Sequence, residues 1–175
     1  MHAQANAHAT PSELTIARPL SAPTGPVAAG EPVPSPAPRT FTHEMTIYLK
    51  DSNAYGNTYF ARYFEWQGVC RERWFFECIA PDMLQAEGVF ITKRAEQDYV
   101  HETFPFQEIR CELNAYALRK CSFWLEFRFF SGGTLVSVGR QQIVFANHAK
   151  QISALPERAL SKIRRFEVPR NGLAA

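Results

Sequence analysis

The stretch Lys50-Asp51-Ser52-Asn53-Ala54-Tyr55-Gly56-Asn57 runs directly into Thr58-Tyr59-Phe60-Ala61-Arg62-Tyr63-Phe64-Glu65-Trp66-Gln67-Gly68-Val69-Cys70-Arg71-Glu72, and the join between the two decides the fold. The first part is rich in Asp, Ser, Asn and Gly, the residues of turns. From Asn57 to about Cys78 there is no proline and one glycine, and Phe60, Tyr63, Phe64, Gln67, Cys70, Arg71 and Trp74 recur at three- and four-residue steps. That spacing predicts a helix of about six turns. Its aromatic side chains cover most of its circumference, so it must be largely buried. Gly68, in its middle, is expected to mark a close backbone approach.

Before the turn, large apolar side chains at Phe41, Met45, Ile47 and Leu49 follow strand periodicity. After the helix, Pro81 and Gly88 punctuate a connection, and the remainder reads as consecutive strands: Val89 to about Val100, Phe106 to about Leu118, Cys121 to Phe130 and Thr134 to Ala146. In the third of these, Phe123, Leu125, Phe127 and Phe129 alternate with Ser122, Trp124, Glu126 and Arg128, and Ser131-Gly132-Gly133 makes a hairpin turn. Residues 155–165 are expected to form a short terminal helix. The order strand, long helix, four strands implies an α+β fold in which an antiparallel sheet carries one helix. So apolar a helix needs a sheet wrapped around it, and a dimer that extends the sheet would hide the remaining surface.

Residues 1–40 differ in composition from the rest of the chain. Eight of the 12 prolines lie there among Ala, Ser, Thr and Gly, a composition expected to remain disordered. The domain is expected to span 41–168, with a flexible C-terminus at 169–175. With 14 Phe, the chain has ample material for an apolar core. A net charge of +2 argues against duplex nucleic acid as a partner. No apolar run is long enough to span a membrane, and no secretory signature is present, so the chain is expected to be cytoplasmic and Cys70, Cys78, Cys111 and Cys121 reduced. Their spacing fits no common zinc pattern, and neither a metal nor another cofactor is expected. Nucleophile-elbow, Walker and dinucleotide glycine motifs are absent from the sequence.

A strand followed by Asp51-x-Asn53-Ala54-x-Gly56-Asn57, then Ala61-Arg62-Tyr63-Phe64-Glu65-Trp66 on a helix and an antiparallel sheet, resembles the hotdog-fold thioesterases of the 4-hydroxybenzoyl-CoA thioesterase type over about residues 41–168. In that family an aspartate usually stands where this chain has Asn53. The subset with Asn there, Gly-Asn after it and Trp66-Gln67-Gly68-x-Cys70-Arg71-Glu72 later is similar to the thioesterases of enediyne polyketide biosynthesis. The resemblance implies a sheet wrapped around one long central helix, a homo-oligomer (dimer or dimer of dimers) with active sites at subunit interfaces, and an acyl thioester of an acyl carrier protein or coenzyme A as substrate. The enediyne-type relatives release a polyene or β-keto acyl chain. A housekeeping acyl-CoA thioesterase and a non-catalytic acyl-binding module are the alternatives.

Thioester hydrolysis needs a polarised carbonyl, an attacking water and a stabilised oxyanion. The backbone N–H groups near Gly56 and Asn57, at the expected helix start, are candidates for binding the thioester oxygen. Alternatively, Gly56 only makes the turn. Asn53 is no acid or base at neutral pH, but its amide can orient water or donate to an oxyanion; an Asx turn is the competing role. Arg71 lies two turns after Tyr63 on one face, with Gln67 between them. The resemblance assigns Asn53, Tyr63 and Arg71 the catalytic work. A salt bridge for Arg71 and core packing for Tyr63 are the plainer readings. Glu72 neighbours Arg71 and is placed to orient it, while Glu65, Glu72 and Asp51 are the acids near enough to serve as a base. On the strand after the helix, Thr92 is a candidate thioester contact. Lys93 and Arg94, like Arg119 and Lys120, are candidates for phosphopantetheine or an acidic carrier protein, with a solvated strand face as the alternative.

Overall fold

The computed structural model describes residues 37–82 and 87–169. The expected 1–40 tail and 169–175 terminus therefore lie, apart from residues 37–40 and 169, outside the described residues. Five strands form one antiparallel sheet: β1 (Phe41–Thr46), β2 (Val89–Tyr99), β3 (Glu108–Tyr116), β4 (Ser122–Ser131) and β5 (Thr134–Ala146), in the spatial order β1-β3-β4-β5-β2. One helix, α1 (Arg62–Trp74), covers one face of the sheet, and a shorter one, α2 (Glu157–Ile163), closes its end. This is the α+β hotdog arrangement.

Alternation in β4 sets the core. Phe123, Leu125, Phe127 and Phe129 are wholly buried under α1, where Trp74 meets Phe123 and Tyr63 meets Phe129 edge to face. Each such side chain contributes about 1.5–3 kcal/mol by leaving water. Cys70 of α1 and Cys111 of β3 are buried in the same layer, and all four cysteines are free thiols. Among the described residues, no helix is long and apolar enough to cross a membrane, and no group of three His, Cys, Asp or Glu side chains is placed to hold a metal ion.

Three expectations need correction. The helix begins at Arg62, not Asn57, because the backbone before it is bound elsewhere: the Thr58 N–H donates to the Thr103 carbonyl at 2.8 Å and the Tyr59 N–H to the Asp51 carbonyl at 2.8 Å. The regular helix also stops at Trp74, and a wider turn over Phe75–Ile79 completes it, with the Ala80 N–H reaching back five residues to Phe75. Gly68 faces open space rather than a close backbone neighbour, since a methyl group there would meet no atom within 4 Å.

Strand β2 matters most for the site. It pairs with β5 along one side only, and its eleven residues are mostly exposed. The register shifts between Thr92 and Arg94, so Lys93 is a bulge that leaves Thr92 on the α1 side.

Candidate functional site

Two cavities lie along α1, one at each end. The front cavity, of about 330 Å³, is lined by Asn53, Asn57, Thr58, Phe60, Tyr63 and the segment Tyr99–Thr103. Its frame is a compact loop. Gly56 has φ +85°, a conformation suited to glycine, and its N–H donates to the Asn53 carbonyl at 3.0 Å, while the Asn53 N–H donates to the Asn57 carbonyl at 2.9 Å. The Gly56 N–H is thus committed within the turn, and Gly56 and Asn57 stand several residues ahead of the helix start. The Asn53 Oδ1 accepts the Tyr55 N–H at 2.8 Å, an Asx turn that leaves its Nδ2 as a donor. Asn57 Nδ2 donates to Glu102 Oε1 at 2.7 Å, while Asn57 Oδ1 is buried with no partner.

Proton counting orients Tyr63. The Thr58 hydroxyl donates to the Thr103 carbonyl at 3.1 Å, and the Thr103 hydroxyl donates to Thr58 Oγ1 at 2.8 Å. Each hydroxyl has one proton, so the Tyr63 phenol must donate in its 2.8 Å bond to Thr103 Oγ1. Its oxygen is left with lone pairs suited to receive a water proton. Burial pushes the Tyr63 phenol up, with the Thr103 bond opposing, so it stays protonated across the neutral range.

The rear cavity, of about 380 Å³, is aromatic: Trp74, Phe75, Phe76, Phe90 and Phe123 line it with Leu125 and Ile143, and Arg71 and Glu72 stand among them. Arg71 Nη1 donates to Thr92 Oγ1 and, at 3.1 Å, to Gln141 Oε1. Both acceptors are neutral, and no carboxylate among the described residues forms an ion pair with Arg71. Burial lowers the guanidinium pKa, and the nearby charge of Glu72 opposes that shift.

Between the cavities runs a buried polar seam. Gln67 is fully buried, and its Nε2 donates to the Glu96 carbonyl at 3.0 Å and to Gln97 Oε1 at 2.5 Å. Gly139 makes room for it, since a methyl group there would overlap the Gln67 amide. Tyr63, Gln67 and Arg71 therefore share the face of α1 turned to β5 and β2.

Asn53, Asn57 and Tyr63 come together in the front cavity. Arg71, Glu72 and Thr92 come together at the rear, so a single chain does not place Arg71 beside Asn53. Lys93 and Arg94 lie exposed on the β2 edge, with Arg94 paired to Glu96. Asp51 and Glu65 are both engaged by Arg62, at 3.6 Å and 2.6 Å, which draws them away from the cavity's chemistry. Sequence reading missed Tyr99, His101, Glu102, Thr103 and Gln141. Residues 101–103 carry no motif; only their pairing with Asn57, Thr58 and Tyr63 marks them.

The thioesterase-like superfamily matches residues 47–165. No curated protein matches the sequence. Among solved structures, the chain resembles the dynemicin thioesterase, whose crystal structures reveal polyene binding, with 23% identity, a TM-score of 0.68 and coverage of 75% of this chain and 99% of that one. A Staphylococcus aureus protein solved in complex with CoA gives 17% identity, a TM-score of 0.70 and coverage of 77% and 87%. A 1,4-dihydroxy-2-naphthoyl-CoA thioesterase from Synechocystis gives 16% identity, a TM-score of 0.65 and coverage of 72% and 96%.

Proposed function

The chain belongs to the thioesterase-like superfamily, and from that premise we propose that it hydrolyses an acyl thioester, with a carrier-protein-bound polyene or β-keto chain as the favoured substrate and an acyl-CoA as the alternative. One observation carries the reading. Arg71 is a partly buried cation held only by neutral oxygens beside an aromatic cavity. A cation so placed favours an oxyanion or carboxylate attached to an apolar chain, which is what an acyl thioester becomes as water adds to it.

The working unit is a homodimer. Strand β2 is a long exposed edge of the kind that natural proteins cover. Two copies paired antiparallel about a twofold axis set the Tyr99 end of one strand beside the Phe90 end of the other. The front cavity of one subunit then adjoins the rear cavity of its partner, and Asn53 and Tyr63 work with Arg71 of the partner subunit. Asn53 Nδ2 and that guanidinium stabilise the oxyanion, Tyr63 orients the water, and the acyl chain lies among Phe90, Phe123 and Trp74. Thr92 holds Arg71 in place, and Glu72 sets the charge around it. Lys93 and Arg94, on the rim, face the phosphopantetheine arm.

Release of free thiol from acyl-carrier-protein and acyl-CoA thioesters tests the activity. Absence of turnover on both, with retained acyl binding, would favour a non-catalytic acyl-binding module. Shared sites are tested by mixing inactive N53A and R71A subunits. Recovery to about a quarter of the wild-type rate is expected, because half of the mixed dimers are heterodimers with one intact site. No recovery on subunit exchange rejects the shared site.

A further inference from the structure

Water attack on a thioester needs a proton acceptor, and the Asn53 amide cannot be one. The titratable side chains lining the front cavity are Tyr63 from α1, Tyr99 from β2, and His101 and Glu102 from the segment after β2. Tyr63 is held protonated, and the Tyr99 phenol donates to the Phe60 carbonyl at 2.8 Å. His101 and Glu102 remain. No side-chain hydrogen bond among the described residues fixes the His101 ring, whereas the Glu102 carboxylate is fixed by Asn57 Nδ2 at 2.7 Å. Asn57 is itself held by its loop, its carbonyl taking the Asn53 N–H at 2.9 Å. Its Oδ1 is buried and bonds nothing, so the Asn57 side chain spends its one protein hydrogen bond on Glu102.

We propose that Glu102 is the general base of the hydrolysis, with Asn57 as its positioning residue; this rests on the thioesterase reading of the same cavity. Glu102 takes one proton from water as the water oxygen bonds to the thioester carbon and the carbonyl electron pair moves onto oxygen. Collapse of the adduct re-forms the carbonyl and breaks the C–S bond, whose electron pair leaves with sulfur. The proton held on Glu102 passes to that sulfur, so the products are a carboxylic acid and a free thiol and the carboxylate is regenerated. No covalent acyl-enzyme and no further reactant are needed. A base located after β2 also explains how a chain with an amide at position 53 can still activate water.

The test compares the full-length wild type with E102Q, E102D and H101Q by thiol release on the same thioester across pH, with thioester binding measured in parallel. The E102Q variant can still accept the Asn57 bond, so its binding and KM should stay near wild type. Its kcat should fall about 10²–10⁴-fold. The acid limb of the wild-type pH–rate profile should be absent from E102Q. The E102D variant should recover part of the rate, and H101Q should keep the acid limb. An active wild type whose E102Q variant keeps its kcat, or whose acid limb vanishes in H101Q instead, overturns the base and leaves the thioesterase reading standing. A wild type that releases no thiol from any thioester overturns both.

Discussion

The two ends of α1 are built by opposite physics. At the front, Asn53, Asn57, Thr58, Tyr63 and Thr103 are held by hydrogen bonds of 2.7 to 3.1 Å, two of them to backbone. At the rear, aromatic packing shapes the cavity, and among the described residues Arg71 is the one cation lining it. Hydrogen bonds fix donors and acceptors in direction, which chemistry requires. Apolar packing fixes volume and tolerates variation in what fills it, which suits an acyl chain. The polar seam through Gln67 keeps the two in register.

Substitutions separate the ends, and the largest effect should come from the rear. Phe123 is buried between Trp74 and Phe90, so F123A should cost about 3–5 kcal/mol in thermal or urea unfolding. In the protein that still folds, selectivity for acyl length should flatten. Equal loss of rate for all acyl lengths would show that the rear cavity does not hold the chain. At the front, N53A should lower kcat about 10²–10³-fold, the usual loss for one oxyanion donor, with acyl selectivity unchanged. The seam comes next: G139A pushes a methyl group against the Gln67 amide and should destabilise by about 1–3 kcal/mol. An unchanged melting temperature would show that the seam is slack. Removal of one hydroxyl in Y63F should cost about 0.5–1.5 kcal/mol in stability, with a larger relative effect on kcat than on KM. The smallest effect is a gain. G68A meets no atom and should stabilise the helix by about 0.5–1 kcal/mol. If the acyl chain or the partner subunit passes over Gly68, the same change should raise KM or weaken the dimer.

Much of the fold is legible from the chain. Alternation in β4 and the turn at Gly132-Gly133 place β4 and β5 as expected, because a half-buried strand writes its two faces into every second residue. Periodicity misplaces the helix start because Asn57 to Ala61 fit helical spacing, while long-range bonds from Thr58 to Thr103 and from Tyr59 to Asp51 hold that segment open. Phe106 fits the strand pattern, yet its φ of 70° and its place after Pro105 put it in a turn.

For the site, local patterning identifies Asn53 in a turn before an aromatic helix, and Tyr63, Gln67 and Arg71 on one face of that helix. Both depend on contacts within a few residues, which periodicity records. Local patterning is silent about Thr103 closing on Thr58 and Tyr63, Glu102 meeting Asn57, and Gln141 and Thr92 holding Arg71, because these pairs stand between 21 and 70 residues apart in the chain. It also implies one cluster where the fold makes two. The sequence determined which residue types were present for the chemistry. The tertiary structure decided which of them meet, because the sheet order β1-β3-β4-β5-β2 and the length of α1 set the distances between them.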